Sequence, residues 1–201
     1  IVANVIVRVV DLSGKEFNTA LKAIGLLWKI ADALGHGTSR RLSSDSVESG
    51  GDGDASGTLE EWLALLRLFR ILVMDNRAEV RNCAVKTLHA VVSSHGKGFS
   101  SSEWVGGVAR VCAGCQEDVM QSAASASCSG GGGGPSLIVH HSRDTEKKQW
   151  NETIVLMMNC SVEISQLMQS SGLGTENEEV AFFNSVLIKS IDQCACDESS
   201  E

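Results

Sequence analysis

The chain has no tyrosine and one proline in 201 residues, and only 4% of it is aromatic. So little proline leaves long helices uninterrupted. Alternation of apolar and polar residues is scarce outside Val2 to Val10 and Leu137 to Val139, which argues against a sheet-based fold. The first of these runs, Val2 to Val10, reads equally as a strand or as the end of a buried helix. No apolar run approaches the ~18 residues that a spanning helix needs. The opening run has no basic region before it and no cleavage-type tail, so it does not read as a signal peptide. The expectation is an excerpt from a longer cytosolic polypeptide. Basic charge is also scarce. A net charge of −8 argues against a broad phosphate-binding surface, so no nucleic acid partner is expected. It argues equally against general attraction to anionic lipid headgroups. Seven cysteines, an odd number, fit reduced thiols better than a disulfide framework.

Apolar residues at helical spacing are what the chain does have. The pattern predicts six helices, over about Asn18–Leu34, Leu59–Val73, Ala78–Ser94, Ser101–Val119, Thr145–Met168 and Asn177–Ile191. The inward stripes are Leu21, Ile24, Trp28 and Ala31; Trp62, Leu65, Leu66 and Phe69; and Val80, Ala84, Leu88 and Val91. The later helices give Trp104, Val108, Val111 or Cys112, Cys115 and Val119; Trp150, Ile154, Met157 or Met158, Ile164 and Met168; and Val180, Phe183, Val186 or Leu187, and Ile191. Gly35 and Gly37 are read as the stop of the first helix. Ser100 and Glu103 have the spacing of a capping box. Many glycines sit in two Ser/Gly-rich stretches, about 36–57 and 121–136, which read as flexible insertions. The whole chain, 1–201, then forms one segment of an all-α, armadillo/HEAT-like α-solenoid of antiparallel helix pairs.

The junction Asp75-Asn76-Arg77-Ala78-Glu79-Val80-Arg81 suits such a stack. Asp75 is placed to accept from the open N–H groups of the following helix. Arg77 and Arg81 lie four apart, where they can reach acidic groups of a neighbouring repeat. With Arg67, Arg70 and Lys86 they form the one basic concentration, which reads either as a repeat-linking edge or as a partner contact.

Candidate chemistry is thin. Cys112-Ala113-Gly114-Cys115 has zinc-knuckle spacing, but it is a lone pair on a helical stripe and reads as small buried thiols. His140-His141-Ser142-Arg143-Asp144 holds hydrolase residue types without a nucleophile elbow. It reads as a helix entry, or as a partner contact through His140, His141, Arg143 and Asp144. Gly130 to Gly134 has no strand before it and no Lys-Ser/Thr after it, so it is no phosphate loop. No cofactor, metal or catalytic residue is expected.

Four blocks point to a family: Ala23 to Asp32, Asp75 to Trp104, Leu137 to Trp150 with its His140-His141-Ser142-Arg143-Asp144 core, and Asn177 to Val180. In this order and spacing they resemble the C-terminal half of the Mon-two protein family, which is related to the large Sec-seven-type Arf exchange factors. That resemblance implies a non-enzymatic, armadillo-like scaffold acting in endosome-to-Golgi transport. It implies a peripheral position on the cytosolic face of the trans-Golgi network and endosomes. It also implies partners that include a Dopey-type scaffold, a phospholipid flippase and Arf-like GTPases. The rival reading is the regulatory C-terminal region of a large Arf guanine-nucleotide exchange factor.

Overall fold

The structure, a computed structural model, describes residues 17–42, 53–128 and 146–198. Among the described residues there is no strand. The helices are α1 (Phe17–Leu42), α2 (Gly53–Leu72), α3 (Ala78–His95), α4 (Ser101–Glu103), α5 (Ala109–Cys128), α6 (Glu146–Ser170) and α7 (Glu178–Glu198). A π turn, Trp104–Val108, joins α4 to α5 so that the two read as one bent rod. Among the described residues no helix is long and apolar enough to cross a membrane.

The predicted stripes form the core. On α2, Trp62, Leu65, Leu66, Phe69, Leu72 and Val73 are all buried, and so are Val80, Ala84, Leu88 and Val91 on α3. On α1 the buried row is Ala20, Ile24, Leu27 and Ala31, with Leu21 and Trp28 packed at its edge. Each large side chain removed from water contributes ~1.5–3 kcal/mol, which is how six separate rods hold together. Trp62, Trp104 and Trp150 are buried in that core.

The order of packing defines the architecture. α1, α3 and α6 pack side by side in one layer, and α2, α5 and α7 in a second. Counting α4 and α5 as one rod, each rod therefore lies beside the next-but-one rod along the chain, its neighbour in the same layer, while successive rods cross between layers. Side-chain correspondences give the directions. Arg81 meets Thr153 and His89 meets Glu163, so α3 and α6 run parallel. Leu63 lies against Gly107 and Arg70 against Asp118, so α2 and α5 run parallel too. This is a solenoid-like stack, as the periodicity predicts.

Several boundaries differ from the sequence reading. α1 runs through Gly35 and Gly37 to Leu42, and α2 begins at Gly53. The ends of the stretch read as a flexible insertion are therefore helical, and 43–52 lie outside the described residues. Helical glycine costs only about 1 kcal/mol, and Gly35 has a packing role. A Cβ there would overlap the ring of His95. Likewise α5 continues to Cys128, because Ala and Ser in 121–128 do not oppose a helix already docked upstream. Residues 129–136 lie outside the described residues, as does Val2 to Val10. Ile191, expected to face inward, is 47% exposed.

Between α3 and α5 the capping box forms as expected. Ser100 Oγ accepts from Glu103 N at 3.3 Å, and Ser100 N donates to Glu103 Oε2 at 2.7 Å. The π turn that follows has no counterpart in the periodicity. Gly107 sits at φ 138, a region closed to most side chains, and the turn lets Leu59 and Leu63 of α2 lie against the backbone of Gly106 and Gly107.

Candidate functional site

The Asp75 junction is where the chemistry concentrates, but its roles differ from those expected. Asp75 accepts from the Arg77 backbone N–H at 2.9 Å and from the Arg77 side chain at 2.8 and 2.6 Å. Arg77 is the N-cap of α3, and α3 has no side-chain cap bond. Asp75 therefore shapes the turn before the helix instead of capping its open N–H groups. Burial pushes the Asp75 carboxyl up, but hydrogen bonds from the Arg77 side chain and backbone outweigh it and hold the group below its ordinary value.

Arg81 is not on an outer edge. It is 1% exposed. Its Nε donates to Thr153 Oγ1 on α6 at 3.0 Å, and its Nη1 donates to the Asp75 carbonyl at 2.8 Å. The guanidinium carbon lies over the Trp150 ring, 3.7 Å from its centroid. Burial pushes Arg81 down from its ordinary value, against the opposing pull of Asp75, Glu146, Glu79 and Glu152. One side chain thus locks the α2–α3 turn to α6. The sequence did carry a signal for this, since Arg81 lies in register with Val85, Leu88 and Val92, all buried.

The other conspicuous charges bridge neighbours within a layer. Arg70 of α2 grips Asp118 of α5 through two bonds at 2.6 and 3.1 Å, and a Cβ at Gly114 would overlap its guanidinium. Arg110 of α5 grips Glu179 of α7 at 2.6 to 3.0 Å. His89 of α3 pairs with Glu163 of α6. Of the two readings of the basic concentration, Arg70 and Arg81 therefore follow the repeat-linking one.

His95 closes α3 against α1 and α2. Its ring lies 6.2 Å from Trp28 and 5.7 Å from Trp62. Its Nε2 is buried without a hydrogen bond, 3.8 Å from Asp32. Burial pushes its pKa down; Asp32 opposes that and His36 adds to it.

Cys112, Cys115 and Cys160 lie buried between α5 and α6. Burial pushes all three thiols well above their ordinary value, the reverse of what a nucleophile or metal ligand needs. Among the described residues no group of three or more His, Cys, Asp or Glu is placed to hold a metal. His140, His141, Arg143 and Asp144 lie outside the described residues.

A two-layer stack whose charged side chains tie neighbouring helices together defines a helical-repeat segment of the α-solenoid class. The family described as "C-terminal region of Mon2 protein" matches residues 58–176, and the chain belongs to that family. It is 30% identical over 150 residues to "Protein MON2 homolog" of Drosophila melanogaster, covering 72% of this chain and 9% of the relative. It is 30% identical over 172 residues to "Protein MON2 homolog" of Homo sapiens, covering 75% of this chain and 10% of the relative. It is 31% identical over 184 residues to "Monensin-resistant homolog 2" of Caenorhabditis elegans, covering 92% of this chain and 10% of the relative. The chain thus spans about a tenth of the length of these relatives. No solved structure matches it.

Proposed function

We propose that this segment is a non-enzymatic part of a scaffold in endosome-to-Golgi transport, working through protein contacts on the surface of its helical stack. The match to the Mon2 family over residues 58–176 carries the reading. The chemistry supports it. The buried thiols are held protonated, and Arg70, Arg81 and Arg110 are engaged in joining helices. Such a stack offers area and a few anchors, which is how repeat proteins bind. The cytosolic face of the trans-Golgi network and endosomes is its proposed station. A Dopey-type scaffold, a phospholipid flippase and Arf-like GTPases are its proposed partners.

Affinity purification of the full-length protein from cells, with imaging of its position, tests this. Recovery of those partners, with Golgi and endosomal localisation, is the expected result. Nucleotide exchange on an Arf protein catalysed by the full-length chain would favour the exchange-factor reading instead. Partners free of Golgi and endosomal proteins would overturn both.

A further inference from the structure

We propose that the outer flank of α6 and α7 is a seat for one further amphipathic helix, the rod that follows α7 in the full-length polypeptide. Ser165 of α6 donates to Asn184 of α7 at 2.8 Å. The two rods are joined by the short connection 171–177 and run antiparallel. From that bond, helical spacing carries one row back along α6 through Val162, Met158 and Val155. It carries another forward along α7 through Ile188 and Ile191. The two rows therefore run side by side as a single strip. Val155, Val162, Ile188 and Ile191 are each between 44% and 58% exposed.

The strip lies opposite the flanks that the stack already uses. Thr153 and Glu163 of α6 meet α3, and Glu179 of α7 meets Arg110 of α5. Val162 comes nine residues after Thr153, and Ile188 nine after Glu179, which is about two and a half helical turns in each case. Each terminal rod is thus joined to its layer on one flank and apolar on the other. A stack that stops ends on a polar outer face. Two aligned rows of exposed aliphatic side chains are the reverse, and contiguous apolar surface of this kind marks an interface.

The order of the stack says what covers it. α6 lies beside α3 and crosses α5. By the same alternation, the rod after α7 lies beside α6 and crosses α7, which is where the strip runs. The chain spans about a tenth of the length of its relatives, so a protein of their size has helices to supply. Along the strip the border residues are Asn159 and Gln166 on α6, and Ser185 and Asp192 on α7. They give no basic rim to hold a lipid headgroup. The α6 row, Val155 to Ser165, is about 15 Å long at ~1.5 Å per residue. The seated helix therefore needs about three turns, with apolar residues at i, i+3 or i+4, and i+7. The exposure of Ile191, against its expected inward position, is explained by this missing neighbour.

Photo-crosslinking in the full-length protein tests the proposal. The photoreactive residue p-benzoylphenylalanine replaces Val162 or Ile188, and mass spectrometry is run on mixed light and heavy protein. The expected crosslink joins either position to a helical segment C-terminal to Glu201, in pairs of like isotope. Any other crosslinked partner overturns the proposal, as does none. Mixed-isotope pairs mean a second copy, and a different protein means a free docking surface. Alkylation of single cysteines gives a second reading that does not need the bulky probe. In the native full-length protein, Val162→Cys and Ile188→Cys are expected to react at least about tenfold more slowly than Glu152→Cys on the solvent side of α6. Equal rates overturn the seat. Each failure leaves the transport partners and location untouched, since the proposal does not rest on them.

Discussion

Replacing Arg81 with alanine removes the side chain that ties the α2–α3 turn to α6. The guanidinium donates to Thr153 Oγ1 and to the Asp75 carbonyl, and hydrogen bonds to charged groups contribute ~1.5–3 kcal/mol each. Its stacking on Trp150 adds up to ~2 kcal/mol where water is excluded. Against these stands the cost of taking the cation out of water, several kcal/mol, which the variant recovers. The variant also strands acceptors in a buried place, at ~1–3 kcal/mol each, and leaves a void. The balance is a loss of ~3–5 kcal/mol, which for a chain of this size lowers Tm on the order of 10 °C. Urea unfolding followed by far-ultraviolet circular dichroism measures it. Arg81→Lys keeps the charge but not the planar fork, and falls between wild type and Arg81→Ala. The double variant Arg81→Met/Thr153→Val costs less than the sum of its singles by ~1–2 kcal/mol, because neither partner is left stranded. An Arg81→Ala protein within ~1 kcal/mol of wild type would refute the latch.

Three further outcomes follow from the way Gly35, His95 and the cysteines are packed. Gly35→Ala, which stabilises an ordinary helix by about 0.5–1 kcal/mol, here destabilises by ~1–3 kcal/mol, since its Cβ overlaps a His95 ring wedged against Trp28 and Trp62; a higher melting temperature in the variant sinks that packing. As pH falls through the ordinary histidine value of ~6.5, the unfolded chain takes up a proton before the buried His95 does. Stability therefore drops from about pH 7.5 to 5.5, and His95→Gln flattens the drop; identical slopes in both proteins contradict it. In the native protein, iodoacetamide read by mass spectrometry modifies the half-buried Cys83 and Cys194 and spares Cys112, Cys115 and Cys160; rapid labelling of Cys112 would contradict the core assignment.

Much of the fold was legible because a helix announces its buried face every three or four residues. Trp62, Leu65, Leu66 and Phe69 on α2, and Val80, Ala84, Leu88 and Val91 on α3, are all buried as the spacing requires. The capping box at Ser100 and Glu103 was legible because both partners lie within one turn. What was not legible depends on distant partners. Gly35 reads as a stop until His95, sixty residues on, is seen filling the space it leaves. Charge made Arg81 look like an edge residue, although its register with Val85 and Leu88 already placed it on the buried face. The π turn at Trp104–Val108 interrupts periodicity only by the position of Gly107, and Asp75 looks like a cap because sequence does not show that Arg77 turns back onto it.

The order of the helices in the stack is the claim that supports the rest, and zero-length carbodiimide cross-linking with mass spectrometry reads it directly. Lysine and carboxylate side chains that share a groove between same-layer neighbours should couple: Lys86 of α3 with Glu152 of α6, Lys148 of α6 with Glu79 of α3, and Lys189 of α7 with Glu117 or Asp118 of α5. Couplings that instead join α1 to α7 within a single chain would close the stack into a ring or globule and contradict it.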